Sequence, residues 1–386
     1  MWSNFMIKEI GIMSFCYRNL NCGGKLQAYA LCRTLQKNQY DAEQICYQLG
    51  SLPGGKSFGK RLKYAFCNVH GFSDIIKAGR RFLKGQYVKM QDKKLLDLQP
   101  SRKKSYESID LSIPHSAVVY THQTIKESAV QYDTFIVGSD QVWHYPSQLE
   151  TYTLSFVPAG RKKIAYAASV AKNQLSENEK EIFRNNLKDF KAVSVREKEA
   201  VDLLQPLCPT KIEWVLDPTM LLSAEDWDEV CEERIVPEEY VFCYFLGADK
   251  KERKLATEFA KRKGLKLVTF IHLANHYVAA DVHVGDIQIY DVSPEKFLSL
   301  VKYAKYVFTD SFHATVFSHI YQKEFFAFSR QGHKEMGSRL YSLTDILENR
   351  DHFCDTKDKA NIKYIMSLPP IDYTKKLPKF EEMKEK

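Results

Sequence analysis

The chain has 386 residues, of which 44% are hydrophobic, 13% aromatic and 27% charged. This length corresponds to two domains of ordinary size or to one large one, and the apolar content excludes global disorder because it is enough for a buried core. No run reaches the roughly 18 apolar positions that a membrane-spanning helix needs. The first twelve residues include Lys8 and Glu9 and have no small-residue cleavage site, so we interpret them as a strand rather than a secretory signal.

The formal net charge of +8 is concentrated in one segment. Residues 56–104 contain 14 Lys and Arg and three Asp, so this segment carries +11 and the rest of the chain sums to −3. A nucleic-acid-binding protein usually spreads its basic groups over a working face, so we expect no nucleic-acid partner. We interpret residues 51–116 as a basic helical insertion. Its surface is either merely solvated or makes peripheral contact with the anionic inner face of a membrane.

The cysteine pattern bears on metals and on location. Nine cysteines are present, an odd number, and no two form a CxxC pair. Zinc sites and disulfide frameworks are recognised by their spacing, so we expect neither. Buried reduced thiols are typical of cytosolic proteins, and we therefore expect a cytoplasmic protein without a metal site.

Alternating strand and helix patterns in the first half predict a βαβ array, and hence a parallel sheet with right-handed crossovers. The helix that follows Ser176 is marked by a capping box with Glu179. The predicted strands are 7–14, 42–47, 134–137, 163–168, 192–195 and 212–216. The predicted helices are 26–35, 176–190 and 197–204.

The second half repeats this organisation after an acidic stretch, 223–238. The predicted strands are 240–246, 265–270, 287–289, 306–309 and 325–328. The predicted helices are 250–262, one opening at Ser293–Pro294, and 313–321, and a charged tail follows at 375–386. We therefore predict an α/β protein with two Rossmann-like domains facing a central cleft. The first is 1–222 with the basic insertion, and the second is 223–386 with the charged tail.

Several common motifs are absent from the sequence. It lacks the GxGxxG, GxxxxGK[ST], GxSxG and HExxH patterns, so the usual nicotinamide, P-loop, hydrolase and zinc-protease interpretations have no support. Asp226-Trp227-Asp228 forms a DxD pattern that in principle suits a metal. It follows Ser223 at a predicted helix start, where acidic side chains favour the helix dipole, and we interpret it as a cap.

Polar loops follow several predicted strands, and open α/β sheets bind ligands outside the carboxyl ends of their strands. The glycines of loop 17–27 precede a helix, so its free N–H groups suit an anion. Loop 138–143 is a polar cluster suited to hydroxyl groups. Arg196 lies at a strand end, Asp217 at a strand stop, and His313 at a helix N-terminus that favours anions. We expect these loops to converge on the cleft.

Five blocks of sequence occur in a fixed order. They are Asn21-x-Gly23-x-x-x-Gln27-Ala28-Tyr29-Ala30-Leu31, Phe135-Ile136-Val137-Gly138-Ser139-Asp140-Gln141-Val142-Trp143, Ser194-Val195-Arg196-Glu197, Leu216-Asp217-Pro218-Thr219 and Thr309-Asp310-Ser311-Phe312-His313. In the content and order of these five blocks, the chain resembles the polysaccharide pyruvyl transferase family. The resemblance runs from about residue 7 to residue 347 and is interrupted by the basic insertion.

The resemblance implies a two-domain fold like that of GT-B glycosyltransferases. It also implies transfer of pyruvate from phosphoenolpyruvate, as co-substrate and without a cofactor, to a sugar of a lipid-linked or nucleotide-linked surface-polysaccharide precursor, forming a ketal. The expected catalytic residues are His313, by its pKa range, and Arg196, by bidentate anion binding. The expected donor-binding residues are Ser311, Phe312, Arg330, Lys334 and Arg339. The expected acceptor-binding residues are Asn21, Gly23, Gln27, Ser139, Asp140, Gln141, Asp217 and Asp310.

One departure leaves alternatives open. The family has Arg-Leu-His where this chain has Ser311-Phe312-His313, so one anion ligand of the motif is missing. Arg330, Lys334 or Arg339 from the next loop is the expected substitute. A GT-B-type glycosyltransferase that uses a nucleotide sugar is one alternative function. A non-catalytic protein that binds or assembles glycans is another.

Overall fold

The computed structural model describes residues 8–49, 101, 103–271, 278–281, 283–330 and 337–386. Most of the basic insertion, residues 51–100 and 102, lies outside the described residues, as does Lys334. The described chain forms two parallel β-sheets with helices packed on them.

The first sheet has seven parallel strands in the order β3-β2-β1-β4-β5-β6-β7. Its strands are β1 (Lys8–Met13), β2 (Ala42–Tyr47), β3 (His115–Tyr120), β4 (Tyr132–Val137), β5 (Lys162–Ala168), β6 (Ala192–Val195) and β7 (Ile212–Trp214). The direction of strand addition reverses between β1 and β4. Such a switch point opens a crevice beyond the carboxyl ends of the two strands.

The second sheet has six parallel strands in the order β10-β9-β8-β11-β12-β13. Its strands are β8 (Tyr240–Tyr244), β9 (Lys266–Phe270), β10 (Ile287–Ile289), β11 (Tyr306–Thr309), β12 (Glu324–Phe328) and β13 (Phe353–Cys354). This order repeats that of the first six strands, so a second switch point lies between β8 and β11. We call the two sheets with their helices the first and the second half.

The α-helices of the described residues lie between these strands or after them. They are α1 (Cys22–Lys37), α2 (Glu107–Ser112), α3 (Leu149–Tyr152), α4 (Glu177–Leu187), α5 (Lys198–Leu204), α6 (Ala224–Asp228), α7 (Lys250–Lys263), α8 (Pro294–Lys302), α9 (Phe312–Ile320), α10 (Gly337–Ile346), α11 (Ile362–Ser367) and α12 (Pro378–Glu385). The 3₁₀ helices are Ile125–Val130, Pro146–Gln148, Gln205–Leu207, Pro218–Met220, Ala279–Asp281 and Arg350–His352. None of the helices in this part of the chain combines the length and apolar character that a bilayer crossing requires.

Sequence periodicity and helix caps predicted most elements correctly, including strands 42–47, 192–195, 287–289 and 306–309. The predicted capping box at Ser176 is present, with Glu179 bonded back to the cap. The DxD residues are also part of a cap, because Ser223 and Asp226 form a second capping box and Asp226 pairs with Lys37. The cap interpretation of this motif is therefore confirmed.

Several boundaries were predicted wrongly, and two strands, β3 and β13, were missed. Helix α1 begins at Cys22 rather than Leu26, because the Asn21 side chain accepts a hydrogen bond from the Gly24 N–H. Strand β7 ends two residues early, at Trp214, and β8 ends at Tyr244. Strand β3 was missed because it lies at the sheet edge with three successive exposed residues, which hides the alternation. Helix α10 was not predicted at all. The domain boundary at residue 223 stays a prediction.

Buried aromatic rings join the two halves. The Trp227 side chain is fully buried, and its indole N–H donates to the Thr219 carbonyl at 3.1 Å. Its ring lies 5.5 Å from that of Tyr29 in the first half and 4.9 Å from that of Phe317 in the second. Met383 of α12 packs near Leu216 and Met220, so the C-terminal helix also returns to the first half.

Because Trp227 contacts both halves, we expect Trp227→Ala to lower the free energy of unfolding by about 3–5 kcal/mol. Trp227→Phe keeps an aromatic ring but loses one hydrogen bond and part of the buried indole, so its cost is expected to be smaller, about 2 kcal/mol. Urea unfolding followed by far-UV circular dichroism measures both values. Equal losses for the two variants would contradict this role for the ring.

Candidate active site

Loops from both switch points line one cavity between the halves. The cavity has a volume of about 160 Å³. Its lining residues are Asn21, Gly23, Asp140, Gln141, Tyr244, Leu246, Phe297, Ser311, Phe312, His313, Arg330 and Arg339. The predicted convergence of the strand-end loops therefore takes place across the cleft, with each half contributing residues to one cavity.

The start of α1 forms one wall of this cavity. A Cβ atom at Gly23 would lie 2.6 Å from Cγ of the His313 imidazole, so only glycine lets this ring pack so closely against the helix. The Gln27 amide, one turn later, donates to the Gly24 carbonyl at 2.9 Å and accepts from the Ser139 N–H at 3.0 Å. Gln27 therefore fixes the first turn of α1 to the loop after β4.

Arg196 occupies the centre of a buried carboxylate cluster behind the cavity. Its guanidinium donates to Asp217 at 2.7 Å, to Asp140 at 3.1 Å and to Glu197 at 3.4 Å. Burial alone would lower the pKa of Arg196, but these carboxylates outweigh it and raise the pKa above its usual value. The guanidinium also lies 4.5 Å from the centre of the Phe312 ring. The positive charge of Arg196 is thus neutralised by carboxylates of the protein itself.

Asp217 is the most heavily bonded member of this cluster. Besides Arg196, it accepts hydrogen bonds from the Thr219 N–H and hydroxyl, and its Oδ2 lies 2.9 Å from the Ser139 hydroxyl. Burial alone would raise the pKa of Asp217, but Arg196 and then His313 lower it below its usual value. Asp217 is therefore a buried anion, and its partners compensate for the cost of removing its charge from water.

His313 lies in the first turn of α9, which is capped by Ser311. Its Nε2 atom is buried without a hydrogen-bond partner among the described residues, and Asp217 Oδ2 lies 3.9 Å away. Burial lowers the pKa of His313, although Asp217 and Asp140 oppose this effect. The imidazole is therefore neutral at neutral pH and is available to take up or pass on a proton.

Arg339 differs from Arg196 in making no direct ion pair with a carboxylate of the described residues. This side chain of α10 is only 8% exposed, and within the described chain it has neither a hydrogen bond nor an ion pair. Burial and then the charge of Arg196 lower its pKa to about 10, although Glu197 and Asp140 oppose this effect, so Arg339 is still a cation at neutral pH. A buried cation without a partner is unfavourable unless an anion joins it.

Arg330 is held on the cavity wall by Asp310. The Asp310 carboxylate accepts from the N–H groups of Leu246 and Gly247, at 2.6 and 2.8 Å, and from Arg330 Nε at 3.2 Å. These bonds join the loops after β8, β11 and β12. Asp310 therefore holds these three loops of the second half together. Both of its carboxylate oxygens already accept hydrogen bonds from the protein.

The structure separates the predicted site residues into two sets. Nine line the cavity: Asn21, Gly23, Asp140, Gln141, Ser311, Phe312, His313, Arg330 and Arg339. Four others lie outside the lining with protein partners: Gln27, Ser139, Arg196 and Asp217. Asp310 supports Arg330. For the partnered residues the geometry favours a supporting position, and the functional roles of all of them stay predictions.

Three lining residues were missed from the sequence, namely Tyr244, Leu246 and Phe297. Tyr244 is the last residue of the switch-point strand β8 and Leu246 follows it, and this position was the signal that could have identified them. Phe297 gave no signal, because an apolar residue within α8 is indistinguishable from an ordinary core residue.

The protein has two Rossmann-like halves that share a cavity, and this cavity contains a buried cation and a histidine. It is therefore an α/β protein with a candidate ligand site in the cleft between its halves. A sequence model of the polysaccharide pyruvyl transferase family matches residues 21–332. The chain therefore belongs to the polysaccharide pyruvyl transferase family, a family of transferases. A search of curated proteins found no match.

Two solved structures of UDP-GlcNAc 2-epimerase from Methanocaldococcus jannaschii are similar in fold. The structure in complex with UDP-GlcNAc and UDP has 12% sequence identity and a TM-score of 0.51, with 98% of each chain covered. The other has 11% identity and a TM-score of 0.50, covering 96% of this chain and 94% of the epimerase. At these identities the likeness concerns the fold alone, and it confirms the predicted GT-B-like architecture.

The electrostatics of His313 give a testable expectation. Since burial lowers its pKa, the imidazole is expected to titrate below pH 6.5 in an NMR titration of the histidine ring signals. Asp217→Asn removes an anion that favours the imidazolium and is expected to lower this pKa further. Asp226→Asn, on the surface, is expected to leave it unchanged. Titration of His313 above pH 7 would contradict this account.

Proposed function

We propose that the chain transfers the pyruvyl group of phosphoenolpyruvate to a sugar of a bacterial surface-polysaccharide precursor and forms a pyruvate ketal. The observation that carries this proposal is the unpaired, buried Arg339 cation beside His313 in the shared cavity. Family membership supports transferase chemistry, and the cavity supports an anionic donor.

Arg339 supports an anionic donor because its charge lacks a partner. A phosphate or carboxylate group beside it would gain a charge-assisted hydrogen bond with a guanidinium. The N-terminus of α9, at Ser311 and Phe312, faces the same cavity and adds the positive end of a helix dipole. Arg339 thus supplies a charge that Ser311 does not.

The size of the cavity favours a small donor. Pockets for drug-sized ligands have volumes of roughly 300–1,000 Å³, and the cavity of about 160 Å³ is much smaller. A three-carbon phosphorylated acid suits this space better than a nucleotide sugar does. This comparison supports phosphoenolpyruvate over the glycosyltransferase alternative.

The proposed chemistry balances with two acceptor hydroxyl groups. His313 gives a proton to the methylene carbon of the donor, and the first sugar oxygen adds to the central carbon. The carbon–oxygen bond to phosphate then breaks as the second sugar oxygen closes the ketal. One hydroxyl proton returns to His313, and the other leaves with inorganic phosphate. An anionic donor next to His313 raises its pKa, so the imidazole gains acid character when the donor binds.

Substitution of Arg339 is expected to impair donor binding, whereas substitution of His313 is expected to impair the reaction. Arg339→Met should weaken phosphoenolpyruvate binding about 10- to 100-fold, because it removes charge-assisted hydrogen bonds. The reduction in the donor-induced melting shift measures this loss. His313→Ala should retain the melting shift but lower phosphate release with the acceptor glycan by about 10²- to 10⁴-fold. Arg262→Met, on the surface of α7, is the matched control.

Three outcomes would contradict this function. The first is a wild-type protein stabilised by UDP-GlcNAc and not by phosphoenolpyruvate, as the glycosyltransferase alternative predicts. The second is glycan binding without turnover of any donor, as a non-catalytic assembly protein predicts. The third is phosphate release that His313→Ala leaves unchanged, which would remove His313 from the mechanism.

We also propose that the protein is cytoplasmic and contacts the inner face of the membrane through its basic segment, 56–104. This contact would suit a lipid-linked acceptor. The support is the charge of +11 in this segment, since basic residues near an anionic bilayer contribute about 1 kcal/mol each.

Binding to phosphatidylserine-containing vesicles is expected to decrease as salt increases. Neutralising Arg80, Arg81 and Lys84 together should weaken binding about 100-fold, since three basic groups are lost. The matched control neutralises three exposed residues in the last turn of α7, namely Lys261, Arg262 and Lys263. Equal vesicle binding by both triple variants in a sedimentation assay would contradict this surface.

A further inference from the structure

A second and larger cavity adjoins the shared cavity that contains His313 and Arg339. We call the shared cavity the donor cavity and the second one the outer cavity. Its volume is about 800 Å³, and Arg330 lines both cavities. Asn173 and Glu199 line it from the first half. Lys251, Glu252 and Tyr341 are among the residues that line it from the second. The two cavities therefore meet at the Arg330 side chain.

The outer cavity lies where an α/β sheet presents ligand-binding groups. It is bordered by Ser329 and Arg330, directly after β12, and by Asp355, directly after β13. These positions are the carboxyl ends of neighbouring parallel strands. The sheet that positions Arg330 on the donor cavity therefore also forms the wall of the outer cavity.

Acidic and basic side chains are mixed around the outer cavity. Its described lining has three acidic and three basic side chains: Glu199, Glu252, Asp355, Lys251, Arg330 and Lys357. The donor cavity instead has Asp140 against Arg330 and the unpaired Arg339. A cavity with both hydrogen-bond donors and acceptors, where carboxylates accompany the basic groups, suits a neutral polyhydroxylated ligand rather than a second anion.

Glu252 has no role in the cluster that holds the donor cavity. It is 6% exposed, and among the described residues it has no hydrogen-bond or ion-pair partner. An acidic residue in the first turn of a helix often serves as a cap, but here Asp249 caps α7 by accepting from the Lys251 N–H. The carboxyl group of Glu252 is therefore left to face the outer cavity.

We propose that the outer cavity is the acceptor subsite, where a neutral sugar ring of the precursor binds with a hydroxyl group hydrogen-bonded to Glu252. This proposal rests on the proposed function, since it places the acceptor beside the donor across Arg330. It assigns acceptor binding to the second half of the protein. The strand-end residues of the first half, such as Ser139 and Asp217, then support the donor cavity from behind.

The protonation of Glu252 agrees with this role. Burial, followed by the nearby charges of Asp249 and Asp310, raises its pKa to about 8. At neutral pH the carboxyl group is therefore mostly protonated in the free protein. A protonated carboxyl both donates and accepts hydrogen bonds, as a sugar hydroxyl requires.

Saturation-transfer NMR with methyl glycosides of galactose, glucose, mannose and N-acetylglucosamine tests the subsite. Each glycoside is added to the full-length protein with phosphoenolpyruvate present. We expect at least one to bind, and Glu252→Leu to weaken its binding at least tenfold. Glu258→Leu, which alters an exposed carboxylate on the same helix, should leave binding unchanged. Tyr341→Ala, at a half-exposed position of the lining, should weaken binding as well.

The phosphoenolpyruvate melting shift separates this proposal from the proposed function. Glu252→Leu should retain the shift, which also shows that the variant is folded. A wild-type protein without the shift, but with glycoside binding that depends on Glu252, would reject the donor and keep the subsite. The absence of glycoside binding in the wild type would overturn the subsite. Binding that neither Glu252→Leu nor Tyr341→Ala weakens would do the same.

Discussion

The buried ion pair between Arg196 and Asp217 is the interaction on which the cavity depends. It joins the strand ends of β6 and β7, and through Asp140 and Ser139 it also holds the loop after β4. The Phe312 ring from the second half rests against the guanidinium. Removing one partner of such a pair leaves an uncompensated buried charge, at a cost of about 3–5 kcal/mol.

The three arginines of the cleft differ in their ion pairs. Arg196 is surrounded by carboxylates, Arg330 is held by Asp310, and Arg339 makes no direct ion pair within the described chain. An ion-paired guanidinium contributes to rigidity, whereas a buried guanidinium without an ion pair is left for the proposed anionic donor. The same type of side chain is therefore a structural support in one position and a proposed substrate ligand in another.

Because the strand order is repeated, loops from both halves form the site. Each half has one switch point, and each switch point contributes its own loops to the shared cavity. The first half contributes Gly23 and the second contributes His313, and they fit together because glycine leaves room for the ring. A site built this way is complete only when the two halves are packed together, which is the function of buried contacts such as those of Trp227.

The sequence by itself determined the element types, the strand-end loops and the family, because periodicity, caps and motif order are local properties of the chain. It also indicated His313, Arg330 and Arg339 as candidates. Only the tertiary structure decided that Arg196 is paired, that Arg339 is not, and that Tyr244, Leu246 and Phe297 complete the cavity. Pairing and burial depend on residues far apart in the chain. Glu197 follows Arg196 directly, but Asp140 and Asp217 reach it only through the folded sheet.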